Sequence, residues 1–168
     1  QVAVDQSSEQ ARNIFIKSYL KEVFDSLVPL TKGKQIEINI EGDDFELHTY
    51  PGAIYQVITN FLNNSMIHGF EARESGKINV TISSDSEFWY LNYDDNGKGM
   101  SEELLKTVFD PFVTTKRNQG GCGLGMHIVY NLINQLLKGE IKCESKLEEG
   151  IKIKLKLPLS LIEKQTHS

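Results

Sequence analysis

The sequence predicts an α+β fold: a two-layer sandwich in which one mixed, mostly antiparallel sheet is covered on one face by about three helices. Segments that alternate apolar and polar residues come in neighbouring pairs, at 35–41 and 45–49, at 77–83 and 87–93, and at 140–145 and 151–157. Segments with a helical apolar period stand before and between those pairs, at 16–30, 51–68 and 124–137. Regular strand–helix–strand alternation is absent, which argues against a doubly wound parallel sheet.

Residues 1–14 carry no sustained apolar period and read as a linker or the end of a preceding helix. Ile16–Leu30 follows as a helix, with Leu20, Val23, Phe24 and Leu27 on one stripe and Gly33 closing it. Gln35–Glu41 sets Ile36, Ile38 and Ile40 against polar partners, the pattern of a half-buried strand. Gly42–Asp44 turns the chain into a short strand at Phe45–Thr49. Pro51 suits the first turn of a helix, which runs to about His68. Its buried stripe is Ile54, Val57, Ile58, Phe61, Leu62 and Ser65.

Lys77–Ser83 alternates Ile78, Val80 and Ile82, and Glu87–Tyr93 is the next strand. Asp94–Gly99 is a tight loop, and Ser101 caps a short helix containing Glu103 and Leu104. Phe109–Gly123 has little period and is bounded by glycine and proline, so it reads as a functional loop. Leu124–Leu137 is a helix. Glu140–Ser145 and Ile151–Leu157 form a hairpin with Gly150 in its turn, and 159–168 is a tail. The folded domain is thus expected over 15–158.

A chain of 168 residues, 39% hydrophobic and 24% charged, has enough apolar material for a buried core. Its formal net charge of −5 gives no support for a nucleic-acid partner or for direct membrane contact. No apolar run approaches the roughly 20 residues of a membrane helix. The chain starts with Gln1 rather than Met, so an excised or processed fragment is expected. Cys122 and Cys143 form no CxxC pair and no metal spacing, and are expected to be free thiols in a reducing cytoplasm.

Three constellations carry possible chemistry. Asn60, Asn64 and His68 recur every four residues along one helix edge. An amide oxygen there suits Mg²⁺, which takes only one or two protein oxygens; a polar edge facing water fits the same spacing. Asp94–Met100 places two carboxylates and two glycines directly after a strand. A carboxylate in that position can accept a hydrogen bond from an exocyclic amine such as that of adenine, although an ordinary Asx-Gly turn has the same composition. Gly120–Gly125 holds four glycines in six residues where a helix opens, the setting in which free N–H groups bind phosphate. It is neither a Walker loop nor a Rossmann fingerprint, and a flexible loop is the alternative. Thr114, Thr115, Lys116 and Arg117 stand just before it, as phosphate contacts or as a solvated loop.

In this order and on these elements, the residues resemble the ATP-binding domain of sensor histidine kinases, within the GHKL superfamily of Bergerat fold. Asn60–Ser65 is similar to its N box, Asp95–Met100 to its first glycine box, Phe109–Phe112 to its F box and Gly121–Met126 to its second glycine box. The resemblance spans about 15–158. It implies ATP and Mg²⁺ as cofactors, with Asn64 as the Mg²⁺ ligand, Asn60 in support and His68 toward the phosphates. Asp95 would read the adenine amine in a slot shaped by Gly97, Gly99 and Met100. Residues 113–122 would form an ATP lid hinged at Phe109–Phe112 and Gly120–Gly121. Phe112, Thr114 and Thr115 would belong to the ATP site, with Lys116 as a γ-phosphate contact. Gly121, Gly123, Leu124 and Gly125 would hold phosphates.

The resemblance also implies a mechanism. Hydrolytic relatives such as DNA gyrase and the mismatch-repair protein MutL typically carry a glutamate four residues before the Mg²⁺ asparagine. Asn60 stands there instead, and an amide has no useful basicity. Slow hydrolysis and transfer to a histidine are therefore expected. None of His48, His68, His127 and His167 sits in a phospho-acceptor box, so no catalytic residue beyond the ATP site is expected in this chain. The implied partners are its own dimerisation and phospho-acceptor domain, upstream, and a response regulator. The fragment is expected to be monomeric and cytoplasmic, including as the cytoplasmic part of a membrane-bound sensor.

Overall fold

The computed structural model describes residues 10–110 and 125–161. In chain order the elements are β1 (Arg12–Phe15), α1 (Ile16–Ser26), a tight helical turn at Val28–Thr31, β2 (Gln35–Glu41), β3 (Glu46–Thr49), α2 (Pro51–Asn64), β4 (Ser75–Ser84), β5 (Phe88–Asp95), α3 (Glu102–Lys106), α4 (Met126–Asn131), β6 (Glu140–Ser145) and β7 (Ile151–Pro158). Wider π-type turns extend α2 through Ser65–Gly69 and α4 through Leu132–Leu136.

Five strands form the main sheet in the order β2-β4-β5-β7-β6. β2 and β4 are parallel and the other three pairings are antiparallel, so the sheet is mixed and mostly antiparallel, as the alternation implied. Because side chains alternate across a strand, register converts the apolar residues into rows. Ile40, Val80, Tyr93, Ile153 and Cys143 form one such row, and Ile38, Ile78, Asp95 and Ile151 the next. The opposite face presents Lys77, Asn79, Thr81, Lys152, Lys154 and Lys156, all exposed.

Helices cover the apolar face. α1 buries Ile16, Tyr19, Leu20, Val23 and Phe24, and α2 buries Ile54, Val57, Ile58, Phe61 and Leu62. Met126, Val129, Ile133 and Leu137 complete the layer from the α4 region. Each such side chain contributes about 1.5–3 kcal/mol of burial. Among the described residues, no helix is long and apolar enough to cross a membrane.

Four sequence expectations are corrected. The linker expected over 1–14 gives way at Arg12: Arg12–Phe15 pairs antiparallel with β3 in a separate two-stranded sheet, and Ile14 is buried. The expected pairing of 35–41 with 45–49 does not form. β2 pairs with β4 instead, and a parallel pair needs a long crossover, which β3 and α2 supply. Residues 159–161, expected in the tail, are tied to the fold instead: His48 exchanges backbone hydrogen bonds with Leu159 and Leu161 at 3.1 and 3.2 Å. The first helix stops at Ser26 rather than Leu30, and the chain tightens at Val28–Thr31. Pro29 accounts for this, having no N–H and a ring that disfavours helix before it.

Candidate functional site

Strand period places Asp95 on the apolar face, in phase with Trp89, Leu91 and Tyr93, and it is 8% exposed. A carboxylate in that position needs donors. Its Oδ1 accepts from the Gly97 N–H at 3.0 Å and the Ile151 N–H at 3.2 Å. Its Oδ2 accepts from the Ser65 hydroxyl at 2.6 Å. Ser65 Oγ also lies 2.7 Å from the Tyr93 hydroxyl. Burial, reinforced by the Asp95 charge, pushes the Tyr93 phenol well above its ordinary range despite the opposing Ser65 hydrogen bond. Asp94, on the other face, is raised by burial, with Lys152 and Lys154 opposing.

The loop after Asp95 is braced from several sides. Asn96 exchanges hydrogen bonds with Lys77, giving its N–H to the Lys77 carbonyl at 3.1 Å and accepting the Lys77 N–H on its side chain at 2.8 Å. The Arg73 guanidinium donates to the Asn96 carbonyl and pairs with Glu148 at 3.2 Å. Gly99 has φ +71, a conformation glycine adopts without strain. Met100 N–H donates to Ser145 Oγ at 2.8 Å, and that hydroxyl donates to the Gly150 carbonyl at 2.6 Å.

This loop, the end of α2 and the sheet enclose a partly open pocket. Asn64, Ser65, His68 and Gly69 line it from α2 and its extension, and Tyr93, Asp95, Ile151 and Ile153 from the sheet. Lys98, Gly99 and Met100 line it from the loop, and Leu104, Val108 and Met126 close the far wall. The charged and polar groups are thus few against mostly apolar walls. Larger grooves lie along the sheet edges, but neither Asp95 nor Asn64 lines them.

Of the residues singled out from sequence, Asn64, His68, Asp95, Gly99 and Met100 line this one cavity, and Gly97 is buried against Asp95. Asn60 is not among the lining residues; its amide donates to the Gly125 carbonyl at 3.4 Å, joining α2 to the start of α4. Gly125 takes φ +69 there. Phe112, Thr114, Thr115, Lys116, Gly121, Gly123 and Leu124 lie outside the described residues, as do the lid at 113–122 and Cys122. Phe109, at the expected hinge, packs on Tyr130 with ring centroids 5.3 Å apart.

Ser65 and Tyr93 were not singled out for chemistry. Each left a trace: a serine on an otherwise apolar stripe must find a partner when buried, and Tyr93 shares the buried phase of Asp95 two residues later. Cys143 is a free thiol whose pKa is pushed up to about 12, chiefly by burial.

A family model described as histidine kinase-, DNA gyrase B- and HSP90-like ATPase matches residues 49–161. The autoinducer 2 sensor kinase/phosphatase LuxQ of Vibrio vulnificus (strain YJ016) is 29% identical over 144 residues, covering 78% of this chain and 16% of LuxQ. The sensor protein TorS of Escherichia coli (strain K12) is 36% identical over 109 residues, 65% of this chain and 11% of TorS. The chain thus spans about a sixth or less of the length of these relatives. Among solved structures, the catalytic domain of histidine kinase ThkA superposes with a TM-score of 0.72 at 21% identity, covering 90% of this chain and 99% of that one. Four boxes in order, a sandwich of this topology and a family match over two-thirds of the chain agree, and the chain belongs to the histidine kinase-, DNA gyrase B- and HSP90-like ATPase family, as an ATP-binding catalytic domain of the sensor histidine kinase type.

Proposed function

We propose that the cavity holds the adenine of ATP on Asp95, and that this chain is the phosphate-donating part of a sensor kinase. The γ-phosphate passes to a histidine outside this chain and from there to a response regulator. The observation that carries this reading is Asp95. It is a buried carboxylate with three acceptor places taken by Gly97, Ile151 and Ser65, and it lines a largely apolar cavity. A carboxylate offers about four acceptor places, so one remains for an amine on a flat ligand. Met100, Leu104, Val108 and Met126 supply the apolar walls a purine needs.

Mg²⁺ fits the residues present. The Asn64 amide oxygen is a hard ligand at the cavity, and Mg²⁺ completes its octahedron with water and phosphate. Among the described residues no group of three or more His, Cys, Asp or Glu is placed to hold a metal, so the ion would come with the nucleotide. When bound it neutralises phosphate charge. By resemblance, His68 serves the phosphates, and Gly121, Gly123, Leu124, Gly125 and the lid residues Phe112, Thr114, Thr115 and Lys116 complete the site.

Transfer rests on positioning and charge neutralisation. The bond from the γ-phosphorus to the bridging oxygen breaks, leaving ADP, as a phosphorus–nitrogen bond forms on the acceptor. Asn60 cannot take a proton from water, and its amide is engaged with the Gly125 carbonyl, so hydrolysis is expected to be slow. Of the described histidines, His48 lies on β3, His68 at the cavity and His127 in α4. By resemblance, the acceptor is assigned to a dimerising domain upstream of this chain, and the site to the cytoplasm. The test mixes this chain with the segment encoded upstream of Gln1 and labelled ATP. Acid-labile phosphate on that segment is expected; acid-stable phosphate on serine, or none, would overturn the reading.

A further inference from the structure

We propose that Tyr93 is a positioning residue for base selection. Its hydroxyl fixes the Ser65 hydroxyl as a donor to Asp95, so that the carboxylate is held with its remaining acceptor place oriented toward the exocyclic amine of adenine. The inference rests on the reading above, that Asp95 meets this amine.

A count of hydrogens gives the direction. Ser65 Oγ stands 2.6 Å from Asp95 Oδ2 and 2.7 Å from the Tyr93 hydroxyl. A carboxylate only accepts, so the one hydroxyl hydrogen of Ser65 goes to Asp95. The Ser65 oxygen must then accept from Tyr93. The other acceptor within reach of Tyr93 is the Phe61 carbonyl, farther away at 3.3 Å. Tyr93 is fully buried, and its raised pKa keeps the phenol protonated, a permanent donor.

The Phe61 carbonyl explains why such a donor is needed. It is four residues before Ser65, the acceptor to which a helical serine ordinarily bends back. The Ser65 N–H already lies against the Leu62 and Phe61 carbonyls. With the Tyr93 hydroxyl filling the space between Ser65 and Phe61, the back-bond is blocked and Ser65 stays turned to Asp95. Without it, Ser65 divides between the two, and the carboxylate loses its fixed orientation toward the amine. A base with an oxygen in place of the amine meets only acceptors at Asp95, so the same relay rejects it.

The test measures binding of three magnesium nucleotides to the purified chain by calorimetry: ATP, inosine triphosphate with an oxygen at the amine position, and purine riboside triphosphate with neither. Tyr93→Phe keeps the ring that packs on Phe61 at 5.2 Å and removes only the hydroxyl. Wild-type chain is expected to favour ATP over purine riboside triphosphate by about tenfold or more, and Tyr93→Phe to shrink that preference by about fivefold while leaving purine riboside triphosphate within about twofold. The rejection of inosine triphosphate should weaken in parallel. Ser65→Ala should lose the same preference, and adding Tyr93→Phe to it should change nothing further; this variant carries the test if Tyr93→Phe does not fold. Equal weakening of all three nucleotides would assign Tyr93 to packing alone and overturn the proposal, as would a preference unchanged in Tyr93→Phe. Absence of any preference in the wild type would remove the Asp95–amine contact and the relay with it.

Discussion

Gly69 and Gly97 meet backbone to backbone: a Cβ on Gly97 would stand 2.6 Å from the Gly69 Cα and 2.7 Å from its carbonyl oxygen. The contact lays the end of α2 on the loop that carries Asp95, and the Lys98 N–H donates to the same Gly69 carbonyl at 2.9 Å. No flexible side chain stands there to yield. Gly97→Ala is therefore expected to force the two backbones apart, at a cost of ~2 kcal/mol or more in unfolding free energy. Denaturant unfolding measures the cost and a nucleotide titration the site. Wild-type stability in Gly97→Ala would mean that the loop and the helix end are not in contact.

Asp85 ties down the turn between β4 and β5. Its Oδ1 accepts the Glu87 and Phe88 N–H groups and its Oδ2 the Tyr90 hydroxyl at 2.7 Å. These bonds, that of Tyr90 first, lower its pKa from 3.8 to about 2. A carboxyl depressed on folding contributes stability above its unfolded value that disappears as pH falls through the folded one. Asp85→Asn should therefore melt below wild type at neutral pH, and the gap should close between about pH 4 and pH 2. Melting curves across that range provide the check; a gap independent of pH would exclude the ionised turn.

Cys143 ends the sheet row that also contains Tyr93 and Ile153. With its pKa pushed up to about 12 by burial, then by the charges of Asp95 and Glu144, it holds little thiolate at neutral pH. Alkylation of native protein at pH 8 is expected to modify Cys143 about a hundredfold more slowly than in denaturant. Peptide mapping separates it from Cys122. Equal rates in the two states would contradict its placement.

The sequence made most elements legible because their periods are long. Gln35–Glu41 and Glu140–Ser145 appear with the expected bounds, and Ile151–Leu157 gains one residue. β1 escaped because four residues, three of them exposed, carry too little alternation to register. The β2–β4 pairing escaped because strand period fixes which face is buried, not which neighbour is chosen. At the site, the glycines and the Asp95 loop were readable from composition. The Ser65–Tyr93–Asp95 chain was not, since it depends on the π-type turn at Ser65 and on sheet register, neither of which local sequence specifies. The turn carries Ser65 past the regular helix to the sheet, 30 residues before Asp95 in the chain.

One nucleotide bound between Asn64 and Asp95 underlies every role assigned above, and calorimetric titration of Mg·ATP into wild type, Asp95→Asn and Asn64→Ala tests it most directly. Wild type should bind in the micromolar range; Asp95→Asn should weaken binding by about a hundredfold, and Asn64→Ala should abolish the Mg²⁺ dependence of what remains. Undiminished binding in both variants, with their folds intact, would place the nucleotide elsewhere and contradict the assignment.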